Sequence, residues 1–494
     1  METQALYKRL ALHYLSAIQA GTLAPGDRMP SVRKLMQLHE VSLSTALQLC
    51  RHLEGQGWLE ARPRSGYFVR HPKRNKLVPV EEPRSGMPID PAQFVGIHER
   101  VSAIIAQGQR PIKINLARAT GAPELYPTTQ LRNLAIRLLR QRPNLLTKAI
   151  VMGGNKELKS ALAKRALDYG ISTAPEEVIV TCGCIEALNL ALRAVAQAGD
   201  VIAVESPTFY GLLQVLESLG MKALEIPTSP HTGISIEALQ LAMQTYDNIK
   251  AVVVVPHLQN PLGSIMPDQH KQRLVSLCEE QQIPLIEDDS YGALCTGAGN
   301  SDMPPTAAKH WDKTGNVIYC ASLHKILAPG LRVGWMLAGR WHARISMLKY
   351  AQTRYNEELS QLVVAEFLPS SSYDRHLRRL RASLSQQRER TAEAIAAYFP
   401  AGTRLSVPDG GVSVWVEMPH QLSSKAVFEA ALEHGILVSP GLLYSNSNRF
   451  NHFLRLNCGM HFTQELDDAL RTLGNLIHQL IQGQGQGQAQ AQAA

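Results

Sequence analysis

Apolar positions in the first 70 residues recur with the period of an α-helix. Leu6 and Leu10 share one face of a predicted first helix, which we expect to end near Gly21. A second helix is predicted from Pro30 after a Pro-Gly-Asp turn, and a third follows Val41. The segment WLEARPRSGYFVR then predicts two short strands around a basic turn. Three helices and a hairpin are typical of a winged helix-turn-helix, an α+β fold.

The third predicted helix has two chemically different faces. Its apolar face carries Ala46, Leu49, Cys50 and Leu53. Its polar face carries Ser44, Thr45, Gln48, Arg51 and His52. We expect the polar face to enter a DNA major groove, while the hairpin turn with Arg62 and Arg64 reaches the DNA backbone or minor groove.

The pattern changes after a stretch rich in proline and charge. Short, almost wholly apolar strands (EVIV, DVIAV, AVVVV, IPLIE, NVIYC) alternate with helical segments. Strands that are apolar on both faces predict a mostly parallel sheet covered by helices, an α/β fold. We therefore expect a winged helix over residues 1–70, a linker over 71–110, an α/β domain with large and small subdomains over 111–482, and a disordered low-complexity tail over 483–494.

The positive charge of the chain is concentrated at its N terminus. The 494 residues carry a formal charge of +8, and residues 1–75 hold eleven Lys and Arg against five Asp and Glu, which gives six of those eight charges. A basic end on a near-neutral body favours an anionic polymer partner, although charge alone fits a solvated basic surface equally well. No apolar run approaches the roughly 20 residues that span a bilayer, so we expect a cytoplasmic protein without a membrane partner. The seven cysteines show no metal-ligand spacing.

Chemically distinctive residues follow the predicted strands in chain order. They are Cys184 and Ile185 at a helix start, then Phe209, Asn260, Asp288, Tyr291, Ser322, Lys325 and Arg332. Because the carboxyl ends of parallel strands meet at one edge of a sheet, we expect these residues to form one site.

These residues match the needs of one aldehyde cofactor with a pyridine ring, a phenolate oxygen and a phosphate. Lys325 supplies the amine that condenses with the aldehyde, and Asp288 a carboxylate for the ring nitrogen. Asn260 and Tyr291 supply donors to the phenolate oxygen, and Phe209 can stack on the ring. The phosphate is expected against Ser322, Arg332 and the helix amides of Cys184 and Ile185. The predicted cofactor is pyridoxal 5′-phosphate, with Lys325 as the catalytic residue.

The N-terminal motifs resemble a known family. The segments LAPGDRMPSVRKL, VSLSTA and LEGQGWLEARPRSGYFV closely resemble the DNA-binding domain of GntR-type bacterial regulators over about residues 4–70. The resemblance implies that Arg33 and the residues opening the third helix, Ser42, Ser44 and Thr45, contact bases. It also implies that Gly66 of the wing lies close to the DNA. Gln48 stands where family members often carry an arginine, which leaves the operator sequence open.

The later motifs resemble fold type I aminotransferases, across about residues 111–480. The segments are TCGCIEAL, ESPTFYG, QNPLG, EDDSYG, SLHKILAPGLRVGW and FLRLNCG. The resemblance implies a dimer and a role for Arg455 in pairing with an α-carboxylate. A GntR-type domain fused to such a domain is the arrangement of the MocR regulators.

Two functions remain open at this point. In the first, the chain is a homodimeric transcription regulator that binds double-stranded DNA and senses an amine, an amino acid or pyridoxal 5′-phosphate itself. In the second, it is a working aminotransferase with an accessory DNA-binding domain. The cofactor residues serve both functions, so enzymatic activity is not decided by the sequence.

Overall fold

The computed structural model describes most of the chain. The described residues are 6–19, 22–23, 27–55, 58–62, 65–69, 78–83, 89–107, 110–147, 153–295, 304–406 and 408–493, without the side chains of 19, 55, 62 and 484–493. The chain divides into two compact units, Met1–Lys76 and Leu77–Ala494.

The first unit is a winged helix-turn-helix, as predicted. Its elements are α1 (Leu6–Gln19), α2 (Val32–His39), α3 (Leu43–Gly55), β1 (Leu59–Arg62) and β2 (Gly66–Val69). The predicted apolar face of α3 forms the core together with Leu35, which is fully buried. Strands β1 and β2 pair antiparallel, with Leu59 opposite Val69. Ser31 caps α2 by accepting a hydrogen bond from the Lys34 amide at 3.2 Å, while Gly21 lies outside the described residues.

The second unit has an α/β part and a smaller α+β part. Its first elements are β3 (Gln93–Phe94), α4 (His98–Gln107), β4 (Ile114–Asn115), α5 (Thr128–Gln141), α6 (Lys156–Ala166), β5 (Val178–Thr181), α7 (Cys184–Val195), β6 (Val201–Ser206), α8 (Tyr210–Ser218), β7 (Lys222–Ser229), β8 (Gly233–Ile234), α9 (Ile236–Thr245), β9 (Ile249–Val254) and α10 (Asp268–Glu280). They are followed by β10 (Leu285–Asp289), β11 (Val317–Ser322), β12 (Gly334–Leu337), α11 (His342–Gln352), α12 (Glu358–Phe367) and α13 (Ser371–Tyr398). The last elements are β13 (Arg404–Ser406), β14 (Ser413–Glu417), α14 (Ser424–Glu433), β15 (Ile436–Leu437), β16 (Ser439–Pro440), β17 (Phe453–Asn457) and α15 (Gln464–Ala493).

A mostly parallel sheet organises the large subdomain. Its strands follow the order β3-β7-β6-β9-β10-β11-β12-β5, with β8 paired to β7. The neighbours from β7 to β11 are parallel, whereas β12 runs antiparallel to both β11 and β5. Every residue of β5, β6, β10 and β11 is buried, which explains why these strands are apolar on both faces. The mostly parallel sheet predicted from the sequence is therefore confirmed.

A separate four-stranded sheet, in the order β13-β14-β17-β16, forms the small subdomain. Its core includes Val414, Val416 and Leu454, none of which is exposed, and side chains from α13, α14 and α15. This sheet places Arg455, in the middle of β17, within the body of the second unit.

The structure differs from the expected linker and tail. From residue 78 the chain already packs on the second unit, because Val78 pairs with Arg404 and because Ile97 and Val101 are buried in its core. These isolated apolar residues show no period among the surrounding prolines, so the sequence pattern did not reveal them. The tail for which we expected disorder continues α15 to Ala493.

Candidate functional site

The predicted DNA-contacting residues lie at the start of α3 and beside it. Arg33, Ser42, Ser44 and Gln48 are exposed, and Thr45 is half-buried. The Ser42 hydroxyl lies 2.8 Å from Ser44 Oγ and accepts a hydrogen bond from the Thr45 amide at 3.2 Å. Ser42 therefore caps α3 and fixes the orientation of its first turn.

The wing is built around Gly66. This residue has φ +101°, a conformation that side chains with a Cβ rarely adopt. A Cβ at Gly66 would lie 3.6 Å from Nε of Arg28, whose backbone pairs with Phe68. Arg28 is a basic residue beside the wing that sequence reasoning missed, since only the pairing of distant segments brings it there. The side chain of Arg62 and all of Arg64 lie outside the described residues.

All ten residues predicted for the cofactor and the effector line one cavity of about 560 Å³ in the second unit. They are Cys184, Ile185, Phe209, Asn260, Asp288, Tyr291, Ser322, Lys325, Arg332 and Arg455. The strands β5, β6, β9, β10 and β11 end at this edge of the large sheet, which places nine of the ten at or after a strand end, whereas Arg455 comes from β17 of the small sheet.

Lys325 presents an amine of unusual acidity. Its Nζ donates a hydrogen bond to the Ala119 carbonyl at 2.7 Å and lies 5.8 Å from the centre of the Tyr291 ring. Burial, followed by the positive charge of Arg455, lowers the Lys325 pKa from 10.5 to about 7. A large fraction of the amine is therefore neutral near pH 7, the form that attacks a carbonyl.

Asp288 lies in the interior of the site, at the end of β10. Its Oδ1 accepts hydrogen bonds from Cys184 Sγ at 3.0 Å and from the hydroxyl of Ser290 at 2.6 Å. Burial is the largest influence on the Asp288 pKa and raises it. A buried carboxylate in this position is suited to receive a cationic N–H.

The turn before α7 brings Gly183 close to the guanidinium of Arg332. Gly183 has φ +112°, a conformation that favours glycine, and a Cβ there would lie 3.3 Å from Arg332 Nη2 and crowd the guanidinium. Ser322 Oγ accepts the amide of His324 at 3.1 Å, and the imidazole Nδ1 of His324 lies 3.4 Å from Arg332 Nη1. Burial lowers the His324 pKa to about 4, so this ring is neutral. Sequence reasoning missed His324, although it directly precedes Lys325.

Arg455 is a buried cation without a carboxylate partner among the described residues. It is 1% exposed; its Nη1 lies 3.4 Å from Asn260 Oδ1, and Nη2 donates to the Ala117 carbonyl. Its Nε is buried without a hydrogen bond to any described residue. Leaving a buried charge without a counter-ion is costly, so the arrangement is suited to an incoming anion.

A segment around Ala117 and Ala119 was not predicted to belong to the site. It supplies the carbonyl groups that accept from Arg455 and Lys325, and Tyr126 bridges the Gly121 amide at 3.1 Å and the Lys325 carbonyl at 3.4 Å. Carbonyl groups occur in every residue, so the sequence carries no signal for these contacts.

Phe209 owes its position to the small residue after Tyr210. A Cβ at Gly211 would lie 2.5 Å from two carbons of the Phe209 ring. The glycine thus allows the ring to lie at the cavity, where it can stack on a planar ligand.

The fold and the site define a class: a winged-helix DNA-binding unit followed by an aminotransferase-like unit of fold type I. Comparison with known proteins agrees. Residues 6–69 match the gntR family of bacterial regulatory proteins, and residues 119–473 match aminotransferase class I and II. In the described part of the chain, no helix is long and apolar enough to cross a membrane.

Proteins of the same two-part architecture are similar over their full length. The Escherichia coli (strain K12) HTH-type transcriptional regulators YdcR and YjiR, both named as uncharacterized, are 35% and 34% identical to this chain. Each match covers 96% of this chain and 99% of the relative. The chain therefore belongs to the MocR-like family of HTH-type transcriptional regulators with an aminotransferase class I and II domain.

Solved aminotransferases share the fold of the second unit. The α-aminoadipate aminotransferase LysN from Thermus thermophilus, solved with N-(5′-phosphopyridoxyl)-L-leucine, has a TM-score of 0.70 and 25% identity. That match covers 77% of this chain and 95% of the LysN chain.

Proposed function

We propose that this protein is a transcription regulator whose second unit holds pyridoxal 5′-phosphate and changes DNA binding in response to an amino compound. The observation that carries the proposal is the meeting of all ten predicted side chains in one cavity, in a chain that begins with a winged helix. Family membership favours regulation over catalysis as the main role.

The residues of the cavity fit this cofactor. Asp288 offers a buried carboxylate to the ring nitrogen, and Asn260 and Tyr291 line the same cavity, where they would donate hydrogen bonds to the phenolate oxygen. Phe209 would stack on the ring. Arg332 next to Gly183, Ser322 and the amides at the start of α7 would hold the phosphate, since a helix N terminus attracts anions. When bound, the cofactor supplies an aldehyde and an electron-withdrawing ring.

Lys325 would hold the cofactor, because its amine is largely neutral near pH 7 and lies with Asp288 and Tyr291 in the same cavity. An amino compound would compete with Lys325 for the aldehyde. A carboxylate on that compound binds Arg455, whose Nε has no partner among the described residues.

The winged helix binds double-stranded DNA through α3 and the wing. We assign base contacts to Arg33, Ser44, Thr45 and Gln48 and a close approach to Gly66. Ser42, Arg28, Arg62 and Arg64 complete the basic and polar surface that we assign to DNA. Two copies of the chain are expected to act together, because such domains read paired half-sites.

The test uses full-length protein with cofactor. A duplex is selected from random double-stranded DNA, and its affinity is measured with and without each amino compound that changes the cofactor absorbance. We expect at least one such compound to change DNA affinity by about tenfold, which corresponds to about 1.4 kcal/mol of coupling. After borohydride reduction, peptide mapping should find the cofactor on Lys325. Attachment to another lysine would contradict the site.

An active aminotransferase is the second candidate, since Lys325 is neutral near pH 7 and the cavity holds every predicted cofactor residue. Rapid turnover of responding amino compounds with a keto acid, with no change in DNA affinity, would favour this candidate.

A further inference from the structure

One part of the cavity lining consists of aliphatic side chains that we assign neither to the cofactor nor to the carboxylate site. Helix α4 contributes Val101, Ile104 and Ile105 to the lining, and Ile185 adds a fourth aliphatic side chain. Val101 is 1% exposed and anchors the helix, whereas Ile105 is 62% and Ile185 40% exposed. Large aliphatic side chains that line a cavity and remain exposed gain free energy when a ligand covers them.

Two polar side chains of the lining to which we assign no ligand contact already have hydrogen-bond partners. Ser439 Oγ lies 2.8 Å from the Tyr444 hydroxyl, and Asn115 Oδ1 accepts the Ala117 amide at 3.1 Å. Arg118 differs, because it is exposed and no hydrogen bond or ion pair joins it to another described residue. Beyond the cofactor and the carboxylate site, the cavity therefore offers aliphatic surface and one exposed cation.

The charges in the cavity narrow the choice of ligand further. Lys325, Arg332, Arg455 and Arg118 are the lysine and arginine residues of the lining, and Asp288 is its acidic residue. A cationic side chain would be repelled by this excess of positive charge. A very small side chain would leave Ile104 and Ile105 uncovered.

We propose that the effector is an α-amino acid with a bulky apolar side chain, which packs against Ile104 and Ile105 of α4. The proposal rests on the proposed function, because Arg455 must hold the carboxylate and the amine must compete with Lys325. It assigns the side-chain specificity to α4, a helix of the second unit within the segment for which we expected a linker.

The test titrates cofactor-loaded, full-length protein with leucine, phenylalanine, alanine, glutamate and lysine while the cofactor absorbance is recorded. Leucine and phenylalanine should bind at least about tenfold more tightly than alanine, since each buried methylene contributes about 0.8 kcal/mol. Ile105→Ala should weaken the binding of leucine about tenfold and leave the affinity for alanine unchanged. Leu241→Ala is the matched control, because Leu241 is 60% exposed on α9 and does not line the cavity.

Three outcomes would overturn the proposal or its basis. If glutamate binds more tightly than the other amino acids and Arg118→Gln abolishes this preference, the effector is anionic. Equal loss of leucine and alanine binding in Ile105→Ala would show a structural role for Ile105. If no amino acid changes the absorbance of protein whose Lys325 carries the cofactor, this proposal fails, and if amines also leave it unchanged, the proposed function fails with it.

Residues 78–83, which we call the strap, contact both subdomains of the second unit. Leu405 donates its amide to the Val78 carbonyl at 3.1 Å, and Glu81 forms an ion pair with Arg404. Glu82 accepts a hydrogen bond from Ser229 Oγ at 2.9 Å. Arg404 and Leu405 belong to β13 of the small sheet, whereas Ser229 ends β7 of the large sheet. The strap therefore holds both subdomains within six residues.

The effector site connects the same two sheets. Arg455 lies on β17 of the small sheet, and Lys325 and Asp288 follow strands of the large sheet. A ligand that Arg455 holds while it competes with Lys325 would change the spacing of the two sheets. A change in that spacing would strain the strap, which contacts β13 on one sheet and Ser229 on the other.

We infer that the strap transmits the effect of effector binding to the segment that precedes it and so changes DNA affinity. This inference also rests on the proposed function. The double variant Glu81→Gln and Glu82→Gln should keep its affinity for effector and for DNA when each is measured alone. The effector-dependent change in DNA affinity, about tenfold in the unaltered protein, should fall below about twofold.

Glu237→Gln is the matched control, because Glu237 forms a surface ion pair with Arg273 within the large subdomain, 3.0 Å long. Undiminished coupling in the strap variant would refute the inference. Absence of coupling in both the unaltered protein and the control would instead count against the proposed function.

Discussion

The acidity of Lys325 leads to a quantitative prediction about cofactor attachment. Burial and the charge of Arg455 lower its pKa from 10.5 to about 7. At pH 7 about half of the amine is then neutral, whereas an ordinary lysine would be neutral in only about one molecule in 3000. The rate of attachment at pH 7 should therefore exceed that of an exposed lysine by roughly a thousandfold.

The assay mixes cofactor-free protein with pyridoxal 5′-phosphate and follows absorbance from about pH 5.5 to about 11.5, a range that includes the ordinary lysine pKa. The rate should rise with pH, because deprotonation produces the reactive amine, and should level off above about pH 7. Arg455→Met removes a positive neighbour, so it should raise the Lys325 pKa and move the midpoint to higher pH. Arg273→Gln, a change on the surface of the large subdomain, should leave the midpoint in place.

A midpoint near the ordinary lysine value of 10.5 would refute the reasoning, because it would show that the amine is neither buried nor close to cations. A midpoint near 7 that does not move in Arg455→Met would leave burial as the cause and exclude the contribution of that guanidinium.

Four further substitutions test the site and the wing. Arg33→Ala should weaken binding to the selected duplex by about 1 to 3 kcal/mol if Arg33 reads a base, and log affinity of the protein should fall with log salt by about 0.9 per phosphate neutralised. Gly66→Ala should strain the wing, whose φ is +101°, and lower both DNA affinity and thermal stability by about 1 to 2 kcal/mol. Gly183→Ala should weaken cofactor retention by about 1 to 3 kcal/mol because the new Cβ would lie 3.3 Å from Arg332 Nη2. Gly211→Ala should displace the Phe209 ring, which a Cβ would approach to 2.5 Å, and so change the absorbance of the bound cofactor.

Gly199→Ala is a control for the two glycines with positive φ. Gly199 has φ +88°, and a Cβ there would meet nothing within 4 Å. Its alanine variant should lose stability but keep cofactor and DNA affinity. Cofactor retention in Gly183→Ala equal to that in Gly199→Ala would refute the packing argument, and DNA affinity unchanged in Gly66→Ala would refute the close approach of the wing.

Local patterns in the sequence determined the two folds and the order of the site. Helical periodicity in α3 separated the buried Leu49 and Leu53 from the exposed Ser44 and Gln48, because the same 3.6-residue period governs packing on any core. Apolar strands predicted a parallel sheet. Because such sheets bind ligands at the carboxyl ends of their strands, we predicted one site for Lys325 and the other residues, and all of them line one cavity.

Only the tertiary structure decided the contacts between segments that are distant in sequence. The backbone carbonyl of Ala119, 206 residues before Lys325, accepts a hydrogen bond from the Lys325 amine. Because every residue has a carbonyl, no sequence pattern reveals this contact. Arg28 reaches the wing through strand pairing, and Ile105 reaches the cavity from a segment that we expected to be a linker. The pKa of Lys325 likewise depends on burial and on neighbouring charges, which exist only once the two sheets have packed together.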